Sequence, residues 1–163
     1  MTITSTLHSL RALGSTTLRG SLAGSRHPKA SHAHPLVVPS KITDPATAAG
    51  AALALCQSRW DEVTLALYLD NQYRLVGHAV VATGWVEAAL LSSRPVLAGS
   101  ESCQATKCVL VRYRRYGVPS ASEAEDRSFR TVTAACARHG LAVVDHLVVV
   151  GNGSFTSAFL GGP

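Results

Sequence analysis

The chain has 163 residues, enough for one domain with a sizeable core, and its 47% hydrophobic and 15% charged residues are those of a globular protein. No apolar run reaches the roughly 18 residues of a membrane span, since AAGAALALC (48–56) and LVVVG (147–151) are too short. The net charge of +5 does not mark the whole chain as a nucleic-acid binder: Arg11, Arg19, Arg26, Lys29 and Lys41 fall in residues 1–43, which hold no acid, and the other ten basic residues balance the ten acids.

Residues 1–43 are rich in Ser, Thr, Gly and Arg and lack a sustained apolar period, so a disordered basic leader is expected ahead of one domain over 44–163. Their composition also fits an organellar transit peptide, without a secretory apolar region; a non-targeting tail is the simpler reading. His27, His32 and His34 lie close enough in sequence to hold a metal weakly, against the plainer reading of a solvated tail. The cysteines, Cys56, Cys103, Cys108 and Cys136, form no C-x-x-C pair, so reduced thiols and a soluble cytoplasmic protein are expected.

Residues 44–60 open with Asp-Pro and continue in good helix formers, which predicts a short amphipathic helix. Residues 62–84 alternate as two strands around Asp70-Asn71-Gln72, a hairpin. In 85–107, Pro95 suits the first turn of a helix running to about Cys103. CVLVRY (108–113) is a β-branched strand. Residues 120–140 form the clearest helix: Ser122 caps it, Glu123, Glu125 and Asp126 favour its positive end, Phe129, Val132 and Cys136 make a core stripe, and Gly140 stops it. Residues 141–151 read as a buried strand, Gly151-Asn152-Gly153 as a turn and 154–160 as a last strand. The order is mixed α/β.

Arg112 and Arg114 stand two apart on a strand end, so their side chains leave the same face, and Glu125 and Asp126 can point back from the next helix. Two ligands on a strand and a carboxylate on a helix would suit a metal. Arginine, however, has no free lone pair and stays protonated.

From Glu62 to Leu160 the chain resembles the RadC family, a branch of the JAB (MPN, JAMM) metallopeptidase fold. The resemblance is carried by LYLDNQYRLVGH (67–78), RYRRYG (112–117), SEAED (122–126) and DHLVVVGNGSFTS (145–157). The first and last stretches match the family pattern in order and spacing; the middle one keeps only a frame with Gly117 and Ser122. The resemblance implies a mixed sheet flanked by helices. It places the family's two histidine ligands on Arg112 and Arg114, its aspartate ligand on Glu125 with Asp126 alongside, its oxyanion-supporting serine on Ser122, and its general-base glutamate on Ala79, with Glu87 the nearest other acid. No catalysis by the family mechanism and no metal or other cofactor are therefore expected. The family is often labelled as DNA repair, a label that a fold does not establish.

The leading expectation is a degenerate member acting as a scaffold or binding module for an unknown protein or an anionic ligand, with an arginine paired to Glu125 or Asp126 where the cation would sit. An active zinc peptidase or isopeptidase with substituted ligands, drawing on His78, Cys103 or Cys108, is the enzyme alternative. Nucleic-acid binding is the third, through Arg112, Tyr113, Arg114, Arg115 and Tyr116 with the basic leader as helper. His78 and His146 read more simply as hydrogen-bonded core histidines, Asp145 as a local cap or pair, and Trp60, Trp85 and Phe129 as core.

Overall fold

A computed structural model describes residues 38–56, 59–84 and 90–158. Residues 1–37 of the expected 1–43 leader, with its histidines, and Trp85 and Glu87 lie outside these residues. Packing begins ahead of position 44: the Ile42 N–H donates to Tyr73 O, the Leu75 N–H donates to Ser40 O, both at 2.9 Å, and Ile42 is buried.

Helix α1 spans Pro45–Cys56. Asp44 starts it by accepting the Thr47 N–H at 2.8 Å. It ends four residues short of the expected limit at Trp60, and the side it buries is built of Ala48, Ala49, Ala51, Ala52 and Cys56. Small side chains let the helix lie close on the sheet, in place of the large apolar stripe of an amphipathic helix.

Strands β1 (Glu62–Leu69) and β2 (Leu75–Thr83) form the expected antiparallel hairpin. Asp70 closes the turn by accepting the Gln72 and Arg74 N–H groups at 2.8 and 2.9 Å. Helix α2 (Ser93–Cys103) is capped by Ser92, and strand β3 (Lys107–Arg114) comes next. Helix α3 (Glu123–Arg138) carries a capping box between Ser122 and Glu125. Strand β4 is Ala142–Val150, and β5 is only Phe155–Ser157, shorter than the 154–160 expected.

The sheet order is β2-β1-β3-β4-β5, with β3 and β4 parallel across α3 and every other neighbouring pair antiparallel. Alternate residues of β1 and β3 feed two cores. Leu65, Leu67, Val109 and Val111 pack with α1, while Ala66, Tyr68, Cys108 and Leu110 pack with Val96 of α2 and Phe129, Val132 and Cys136 of α3. Covering both faces explains why β1 and β3 are nearly continuous buried runs. The architecture is the expected mixed α/β sheet flanked by helices. Among the described residues no helix is long and apolar enough to cross a membrane.

Candidate functional site

The antiparallel register of β1 and β3 places Thr64 opposite Arg112 and Glu62 opposite Arg114, all four leaving one face at the end of the sheet. The capping box draws Glu125 to the same point: its Oε2 accepts the Ser122 N–H at 2.8 Å and the Ser122 hydroxyl at 2.9 Å. Arg112 and Glu125 are fully buried.

Two guanidinium groups and two carboxylates meet there. Arg114 Nη2 donates to both oxygens of Glu125 at 2.7 Å, and Arg114 Nη1 donates to Ser120 O at 2.8 Å. Arg112 Nε donates to Glu125 Oε1 at 3.2 Å. Glu62 Oε1 lies 2.6 Å from Arg112 Nη2 and 3.3 Å from Arg114 Nε. The Arg112 Nη2 contact is an ion pair out of line for a hydrogen bond. Two positive and two negative groups make the cluster neutral, which is what permits its burial.

Burial would raise the Glu125 carboxyl, but the Ser122 N–H, Arg114 and the Ser122 hydroxyl outweigh it and hold the pKa below its ordinary value. Burial lowers the Arg112 pKa, against the opposing pull of Glu62 and Glu125. Arg112 remains a cation in this setting.

Both arginines thus reach Glu125, as the strand-to-helix geometry suggests. Asp126 does not join them; it faces away towards His146 and lines two cavities there. Glu62 has no part in the sequence reading, because its role depends on strand pairing that periodicity does not reveal. Ala79 sits on β2 opposite Ala66, which in turn faces Leu110, two residues from Arg112, and its methyl offers no base. Ser122 serves as the cap of α3 and as a donor to Glu125.

These residues do not fit a zinc ion. The guanidinium groups have no lone pair to give, and the oxygens of Glu125 are held by Arg112, Arg114 and Ser122. Among the described residues no cluster of three or more His, Cys, Asp or Glu is placed to hold a metal. His78, expected in the core, is exposed on edge strand β2, and Cys56, Cys108 and Cys136 are buried free thiols. Burial pushes the Cys56 thiol up to about 12, which leaves it protonated and a poor ligand.

The interleaved arginines and tyrosines do not make one surface. Tyr113 is buried in the core under α1, Arg112 and Arg114 are spent on carboxylates, and Arg115 Nη1 lies 3.0 Å from Asp61 Oδ1. Tyr116, 80% exposed, and Val118, 66% exposed, stand out on the loop between β3 and α3. Asp145 accepts the Ser157 hydroxyl at 2.7 Å and the His146 N–H at 2.7 Å, the local pairing expected of it.

A mixed sheet with an antiparallel hairpin, a β3-α3-β4 crossover and a polar cluster where β3 meets the start of α3 defines a JAB-type domain. A model of the RadC-like JAB domain matches residues 42–160, and the chain belongs to that family. It is similar to a UPF0758 protein of Photobacterium profundum, 31% identical over 103 residues, covering 63% of this chain and 46% of that protein. A UPF0758 protein of Haemophilus ducreyi is 30% identical over 96 residues, covering 59% of this chain and 43% of its own length. One from Actinobacillus pleuropneumoniae serotype 5b is 26% identical over 148 residues, covering 91% and 67%. The chain thus spans about half the length of the first two relatives.

Proposed function

We propose that this chain is a catalytically degenerate RadC-like JAB domain that serves as a binding or scaffold module for a protein partner. The observation that carries the reading is the neutral cluster of Arg112, Arg114, Glu62 and Glu125, in which Arg112, Arg114 and Glu125 stand at the positions where the family resemblance puts the metal ligands. A guanidinium held by two carboxylates supplies the positive charge that a cation would and keeps β3 tied to the start of α3. It cannot activate a water, and the position of the general base is an alanine.

The same pairing disfavours an anion as the ligand, since an incoming carboxylate or phosphate would have to displace Glu62 or Glu125. Tyr116 and Val118, exposed on the loop beside the cluster, favour a protein partner instead. Nucleic-acid binding draws less support, with Tyr113 buried and Arg115 paired to Asp61.

The test is the metal content of the full chain by elemental mass spectrometry, after exchange into chelator-free buffer containing equimolar zinc. The expected result is far less than one zinc per chain. Retention of about one zinc, with peptide hydrolysis that a chelator abolishes, would overturn the reading in favour of a zinc peptidase with substituted ligands.

A further inference from the structure

Phe129, Thr133, Ala134 and Ala137 of α3 line a cavity of about 360 Å³ together with His146 of β4 and Ala158. A second cavity of about 230 Å³ shares His146, Ala158 and Asp126 with it and runs on beneath residues 119–121. Neither is lined by Arg112, Arg114, Glu62 or Glu125, although Ser120, whose carbonyl accepts from Arg114, borders the smaller one.

Two polar atoms of the larger cavity's wall, His146 Nε2 and Thr133 Oγ1, are buried without a hydrogen-bond partner among the described residues. His146 is only 5% exposed. Buried polar atoms are nearly always satisfied, so two orphans on one cavity indicate a missing partner molecule. The imidazole also stacks on Phe129 with ring centroids 3.5 Å apart, which gives the cavity an aromatic wall; Ala134, Ala137 and Ala158 add methyl groups, and Asp126 and the exposed Arg130 bring one charge of each sign to the lining.

This lining selects the ligand. A charged group would lose its hydration against Phe129 and three alanines, and with Asp126 and Arg130 both on the lining the opposite charges favour neither an anion nor a cation. A flat neutral ring fits the aromatic wall, and one hydroxyl, both donor and acceptor, suits a neutral imidazole nitrogen and a threonine hydroxyl in either hydrogen arrangement.

We propose that the cavity between α3, β4 and Ala158 binds a phenolic ring, as carried by a tyrosine side chain or a small free phenol, through His146 Nε2 and Thr133 Oγ1. The test titrates p-cresol and toluene into the isotope-labelled full chain and follows the NMR signals of Phe129, Thr133 and His146. Saturable shifts are expected, with p-cresol binding about 10-fold more tightly than toluene through its hydrogen bond. His146→Phe keeps the ring and removes the nitrogen; Thr133→Val keeps the shape and removes the hydroxyl. With folding confirmed by a dispersed spectrum, each variant should narrow the p-cresol preference to about 3-fold or less.

N-acetyltyrosinamide binding more tightly than p-cresol would support a polypeptide tyrosine as the source, and weaker binding a free phenol. The proposal fails if no saturable shift arises at these residues, if toluene equals p-cresol in the parent chain, or if the preference survives both substitutions. The two orphan atoms would then hold water only.

Discussion

Arg114 grips Glu125 through one nitrogen placed 2.7 Å from each carboxylate oxygen, and this contact joins the end of β3 to the first turn of α3. The same carboxylate is the reciprocal half of the α3 capping box. One side chain therefore serves both the helix start and the buried charge cluster.

Removing one member of that cluster should hurt more than removing a balanced pair. Glu125→Leu strands two guanidinium groups on Glu62, one of them fully buried, and should cost about 3–5 kcal/mol. Arg112→Met combined with Glu62→Gln removes one charge of each sign and leaves the Arg114–Glu125 contact standing; it should cost less than about 2 kcal/mol. Urea unfolding of the two variants with an unchanged m-value measures the difference. Equal costs would show that the cluster does not act as a charge-balanced unit.

Stability should fall in two steps as pH drops. Burial lowers the His146 pKa below its ordinary 6.5, so the unfolded chain takes up a proton first and stability declines as pH falls from about 6.5 towards the folded value. Glu125, held below its ordinary 4.5 despite burial, keeps its contribution above that value and loses it as pH falls through its lower folded pKa. His146→Phe should erase the first step, and Glu125→Gln should shrink the second, to which Asp44 and Asp70, also held below their ordinary values by hydrogen bonds, contribute as well, in unfolding curves recorded from pH 8 to pH 3.

Gly99 of α2 lies against the Tyr68 ring, so a methyl group there would overlap the phenol, whose hydroxyl donates to Val96 O at 3.0 Å. Gly99→Ala should destabilise by about 1–3 kcal/mol through overpacking. In a Tyr68→Leu background the same change should cost at least about 1 kcal/mol less, a coupling that a double-mutant cycle reads directly. Additive costs would mean that a neighbour other than the Tyr68 ring sets the effect of Gly99, since helix propensity alone favours alanine there.

Most of the element order was legible because local signals agree: Asp44 and Ser122 cap their helices, and the β-branched runs of β3 and β4 have no competing period. The site was legible only in half. Neighbouring residues on a helix point about 100° apart, so Glu125 and Asp126 cannot both face β3, and sequence alone does not say which does. Glu62 acquires its role solely from the antiparallel register that sets it opposite Arg114. His78 is exposed because β2 is an edge strand, a place in the sheet that its apolar neighbours Val76 and Val80, both exposed as well, do not betray.

Restoring imidazoles tests whether the cluster occupies a metal position or merely an unrelated polar niche. In the pair Arg112→His with Arg114→His, both rings leave β3 on the face of Glu125, which is freed of its guanidinium partners and still held by Ser122. Zinc then has two neutral nitrogens and a carboxylate available, the donor types it prefers. The variant should retain about one zinc per chain by elemental mass spectrometry, and zinc at 100-fold above its dissociation constant should add about 2.7 kcal/mol of stability. It should still hydrolyse no peptide, because Ala79 supplies no base. A folded double variant that binds no zinc would mean that the backbone around β3 and α3 has itself departed from a metal-binding geometry, so that the loss runs deeper than two side chains.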